Sequence, residues 1–179
     1  NISVKEILMG NHATTNFFGD ELIANKDFTS NYNNWNAGNS ATLSISGGGQ
    51  SGNALRVATG GESGAEARSD AMTVTAGATY LLTFYHKDTG GSGTQPLYAV
   101  YDVSNSGYIT AHTTVSPSTS SGSWTQQSHS FVTPSGCTSI KVYLRSSAGT
   151  NDNFYFDTVS LKEVGISSTG FTTAQNEPT

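Results

Sequence analysis

Short apolar runs that alternate with polar positions recur along the chain and nowhere lengthen into a helical stripe. In SIKVYLRS, Ile140, Val142 and Leu144 share one face, while Lys141, Tyr143 and Arg145 share the other. In TYLLTFYHK, Tyr80, Leu82 and Phe84 form the inward set, and Leu81, Thr83, Tyr85 and Lys87 look outward. PLYAVYDV is apolar on both faces, so its parity leaves open which of Tyr98 and Tyr101 is exposed. Strands are predicted over Ala41–Ser46, Ala54–Ala58, Ala71–Thr75, Thr79–Lys87, Pro96–Val103, Tyr108–Thr114, Trp124–Val132, Ser139–Ser146 and Asn153–Val164. Between them lie turns such as SGGGQSGN, TAGAT and SNSG, where Gly supplies positive φ and Asn or Ser bonds back to the backbone. Strands this closely spaced pair antiparallel, because parallel ones need long crossovers. The fold class is all-β, an antiparallel sandwich.

NFYFDTVSLKEV breaks its own alternation. Phe154 and Phe156 share one parity, Val159 and Leu161 the other. A β-bulge at Asp157–Thr158 would bring both pairs to the core and free the Asp157 carboxylate from the regular ladder, a place suited to a cation.

Composition narrows the function. The 179 residues carry a formal net charge of −5, only 12% are charged, and no Lys/Arg cluster appears, which argues against a phosphate-tracking nucleic-acid surface. No apolar run approaches the roughly 20 residues that span a bilayer. Cys137 is the lone cysteine, so no internal disulfide forms. NISVKEI at the start nearly copies TVSLKEV at Thr158–Val164. Residues 1–20 read as a strand and linker, 21–164 as the sandwich, and 165–179 as a tail. The opening strand, with Ile2, Val4 and Ile7 as its apolar stripe, suits a preceding module, the chain's own sheet edge, or donation to a neighbouring copy.

The ordered motifs resemble a known group. ELIANKDFTS with NNWNA is similar to the "N-G-(D/S)-F-E … W" opening of carbohydrate-binding modules of families four, nine and twenty-two. VTAGATYLLTFYHK, SGSWTQQSHSFVTP and NFYFDTVSLKEV match three later segments of that pattern, in the same order. The resemblance implies a jelly-roll sandwich with one convex and one concave sheet, and a glycan or polysaccharide as partner. It also implies a structural calcium ion, for which Asp27, Thr29, Asn53 and Asp157 are the positional candidates. Thr29 stands where the family has an acidic residue. Glycans are bound by aromatic rings stacked on sugar faces. The outward candidates are Tyr85, Tyr143 and Arg145, with Tyr98 or Tyr101, and with Lys87 and Lys141 at the rim. The termini resemble, weakly, connectors in virion proteins of tailed phages.

Catalytic patterns do not emerge. Glu62, Glu66 and Asp70 fall in a Gly-rich stretch that reads as a solvated loop, without the "E-x-D-x-x-E" spacing of jelly-roll glucanases. His12, His86, His112 and His129 are dispersed. The expectation is a non-catalytic module of an extracellular or virion-surface protein, made for glycan adhesion and assembly. Its rivals are a strand-donating structural subunit without sugar binding, and an accessory module of a secreted glycoside hydrolase.

Overall fold

A computed structural model of the chain describes residues 17–59, 64–88, 95–117, 122–146 and 153–165. Its elements are β1 (Phe17–Phe18), β2 (Trp35–Gly38), β3 (Thr42–Gly47), β4 (Asn53–Ala58), β5 (Glu66–Ser69), β6 (Met72–Thr73), β7 (Thr79–Asp88), β8 (Leu97–Asp102), β9 (Gly107–Thr114), β10 (Thr125–Val132), β11 (Ser139–Arg145) and β12 (Asn153–Gly165). One sheet runs β10-β7-β12-β4-β3 with β1 against β12, and the other β2-β5-β11-β8-β9 with β6 against β11. Every pairing is antiparallel. The sandwich expected from the alternation is the one found.

Inward side chains of the two sheets make a single core. Leu82 and Phe84 of β7, Phe154 and Phe156 of β12, and Ile140, Val142 and Leu144 of β11 are fully buried in it. Tyr80 enters the same layer, and its hydroxyl accepts the Thr75 N–H at 2.9 Å and donates to Glu163 at 3.0 Å, so burial leaves no polar atom stranded.

The bulge in β12 lies where the broken alternation puts it. Pairing with β7 shifts between Asp157 and Ser160, and Thr158 takes φ 50°. Phe156 and Val159 therefore both reach the core. Glu21 secures the far side, accepting Ser160 Oγ at 2.6 Å and the Leu161 N–H at 2.8 Å. Gly19 and Leu22 donate backbone N–H groups to Glu163 and Leu161, and β1 pairs with Val164 and Gly165. Part of the segment read as linker thus belongs to the sheet and covers the side of β12 that β4 leaves open. The first and last described strands are thus neighbours. Ile2, Val4 and Ile7 lie outside the described residues.

Three strands escape the sequence reading: β1, β2 and β5. The last corrects an expectation. Glu66 does not sit in a solvated loop but in β5, where it is 1% exposed.

Candidate functional site

The outer face of the β2-β5-β11-β8-β9 sheet gathers rings and charges. Registers align Asn36 of β2 with Arg68 of β5, Arg68 with Tyr143 of β11, and Tyr101 of β8 with Tyr108 of β9. Tyr101 and Tyr143 stack at 5.7 Å with planes 15° apart. Tyr108 meets Tyr101 edge-on at 5.1 Å and His112 at 5.0 Å. The Arg68 guanidinium lies over the Tyr143 ring, 5.3 Å from its centroid. Tyr143 is covered by these neighbours, whereas Tyr108 remains 48% exposed.

A carboxylate lies beneath the rings. Glu66 Oε1 accepts Arg68 Nε at 2.7 Å and Asn39 Nδ2 at 3.3 Å, while Oε2 lies 3.3 Å from His112 Nε2. Strands β5 and β9 are three steps apart in the sheet, about 14 Å at the usual strand spacing. A Glu and a His from those strands meet only if the sheet curves toward this side, so this is the concave face. Burial works against the Arg68 charge, but the bond and charge of Glu66 outweigh it and hold the guanidinium firmly protonated. Burial, then the positive charge of Arg145, lowers the His112 pKa against the pull of Glu66. Burial raises the pKa of Tyr143 and Tyr108. The result is a rigid floor of aromatic faces with fixed donors at its edge. Such a surface can stack on apolar ring faces and bond hydroxyls.

The sequence candidates divide. Tyr101, Tyr143 and Arg145 come together here, with Lys141 on the same face. Tyr98 does not: it is 4% exposed and turned into the core against Phe84 and His129, because it lies three residues from Tyr101 and so faces the other way, in register with buried Leu144 while Tyr101 pairs with Lys141. Tyr85 points out from the other sheet, paired in register with Gln126, far from the cluster. On that second face Lys87 sits between Trp124 and Tyr155, at 4.7 and 5.2 Å, and both Lys87 and Trp124 donate to the Gly48 carbonyl. Sequence reasoning missed Arg68, Glu66, Tyr108 and His112 as site residues. The available signal was AEARSD, where Ala65, Ala67 and Ser69 alternate with Glu66, Arg68 and Asp70.

The four calcium candidates share one corner. Asn53 Nδ2 donates to the Thr29 carbonyl at 2.7 Å. Asp157 accepts the N–H groups of Ser51 at 2.9 Å and Thr158 at 2.7 Å. Burial raises its pKa, those bonds oppose the rise, and the Asp27 charge adds to it. Asp27 holds Lys26 Nζ with both oxygens at 2.8 Å. Calcium needs six to eight free oxygens. Here both carboxylates are occupied by protein donors, and among the described residues no group of three His, Cys, Asp or Glu could hold an ion.

The profile of the carbohydrate binding domain family, families 4 and 9, matches residues 20–152. The chain belongs to this family. The domain is similar in fold to the CBM22-1 xylan-binding domain from Paenibacillus barcinonensis Xyn10C, with TM-score 0.61 and 14% identity over 86% of this chain and 98% of that one. The tandem CBM22-1-CBM22-2 structure from the same protein matches with TM-score 0.63 and 17% identity over 80% of this chain and 50% of the tandem. An enzymatically active domain of bacteriophage CBA120 tailspike protein 4 matches with TM-score 0.61 and 13% identity, over 80% of this chain but only 21% of that chain. No curated protein sequence matches the domain.

Proposed function

We propose that the domain binds a glycan chain across the concave face, over Tyr143, Tyr101 and Tyr108, without cleaving it. The observation that carries this reading is the Tyr101–Tyr143–Tyr108 cluster, one ring of it open to solvent, on the sheet that curves inward. A binding role is supported by the state of the face's central carboxylate: Glu66 is buried and committed to Arg68, whereas glycoside hydrolysis uses two carboxyl groups flanking the scissile bond. One structural relative is a xylan-binding domain, which makes xylan the first polymer to try.

We place the domain in an extracellular protein, either a polysaccharide-acting enzyme or a phage tail structure, since relatives of both kinds share its fold. Adjacent incoming and outgoing strands suit a module held out to the side of a longer chain. Assembly through the opening strand is a separate proposal, tested by comparing the mass of the chain with that of a version starting at Phe17.

Affinity electrophoresis against a panel of polysaccharides tests the binding reading. Expected is retardation by at least one polymer, lost in Tyr108→Ala and kept in Tyr85→Ala. Retardation lost only in Tyr85→Ala would move the site to the other sheet.

A further inference from the structure

Two guanidinium groups stand on the concave face, and among the described residues only one has an ion pair. Arg68 is paired with Glu66. Arg145 is directly across the β5–β11 pair from Glu66, yet among the described residues it has no ion pair and no hydrogen bond, because Glu66 turns along its own strand to Arg68. Space for the Arg145 head comes from Gly64. A Cβ at Gly64 would run into the guanidinium, and Gly64 has φ 82°, so a bare backbone position leaves the room that Arg145 fills. Its positive charge acts on both His112 and Tyr108, pulling the pKa of each down. The other charges of the face balance differently. Lys141 pairs in register with Tyr101 toward the other end of β11, and the Asp70 carboxylate is bonded to Asn34 and Asn36.

We propose that the glycan this face takes is acidic, with a sugar-ring carboxylate docked on Arg145 while the ring stacks on Tyr108. This rests on the glycan-binding reading and adds the charge class of the ligand. A guanidinium offers two parallel donors that match a carboxylate. The whole chain is net negative at −5, so an acidic polymer gains only where positive charge is local. Recognition is therefore confined to this spot and weakens as salt rises.

The test titrates the domain with polygalacturonate and alginate, with both polymers after carboxyl reduction, with neutral xylan, and with dextran sulfate, at low and at high salt. Expected is binding to a uronate polymer about tenfold tighter than to its reduced form, as one charge-assisted bond pair warrants. Arg145→Gln should remove that preference, bringing native and reduced polymers to equal affinity. Gly64→Ala, which displaces the guanidinium, should reduce the preference too. Equal binding to native and reduced polymers, or to xylan alone, would overturn the acidic assignment while the face remains a glycan site. Dextran sulfate binding that equals uronate binding would overturn carboxylate recognition. A preference that survives Arg145→Gln would overturn the role of that residue. Absence of binding to every polymer would bring down the underlying reading as well.

Discussion

His86 is the inward residue of β7 after Phe84, its ring centroid 6.0 Å from that phenyl, and it is 0% exposed. Neither ring nitrogen has a hydrogen-bond partner among the described residues. Burial without a partner disfavours the imidazolium and lowers the pKa from 6.5 to about 4. The unfolded chain therefore takes up this proton first as pH falls. Stability is unaffected above the unfolded value, is lost as pH drops from 6.5 toward 4, and is level below that. At about 1.4 kcal/mol per pH unit the complete loss is about 3 kcal/mol, and about 2 kcal/mol of it falls between pH 7 and pH 5. His86→Leu nearly conserves volume and removes two stranded nitrogens, so it should stabilise the domain by about 1 kcal/mol even at pH 7. Urea unfolding at pH 7, 6 and 5, followed by the fluorescence of Trp35 and Trp124, measures both proteins. The raised pKa of Asp157 acts with the opposite sign, and His112 and His129 with the same sign as His86. All three are common to both proteins and cancel in the difference. The gap between variant and wild type should widen by about 2 kcal/mol from pH 7 to pH 5. Parallel curves would refute the reasoning and show that His86 finds a partner or water.

Other outcomes follow from the same contacts. Glu66→Ala should cost about 2–3 kcal/mol in urea unfolding, below the loss for a fully buried pair because Arg68 reaches solvent. Gly49→Ala should cost about 1–3 kcal/mol, since its Cβ would press on the Asn53 carbonyl and Asp157. Gly47→Ala, whose Cβ meets nothing, should change stability by under about 0.5 kcal/mol. A chelator should leave the melting temperature unchanged, because Lys26 already occupies Asp27 and backbone N–H groups occupy Asp157. A drop of several degrees would show that a cation displaces Lys26 and stabilises the fold by mass action.

What was legible in the sequence was whatever a strict two-residue period could carry. The β12 bulge was visible because Phe154 and Phe156 disagree in parity with Val159 and Leu161, and only an extra residue reconciles them with one core. Tyr143 and Arg145 were assigned to an outer face because β11 alternates cleanly. Tyr98 and Tyr101, three residues apart and so on opposite faces, could not be sorted, since β8 is apolar on both sides. β5 was missed for the opposite reason: its inward residues are alanine and serine, too small to read as a core, and its outward glutamate and arginine read as solvent-facing. Yet those charges, Glu66 and Arg68, organise the face. Which strands lie together on that face is a matter of sheet order, and five strands drawn from residues 35 to 145 carry no sequence record of it.

Amide chemical shifts during titration with a retained polysaccharide test the concave-face assignment most directly. Expected are shifts concentrated at Arg68, Ala99, Tyr101, Tyr108, His112, Tyr143 and Arg145, with β7 and β12 unmoved. Shifts concentrated instead around Tyr85, Lys87 and Tyr155 would contradict it and place recognition on the opposite sheet.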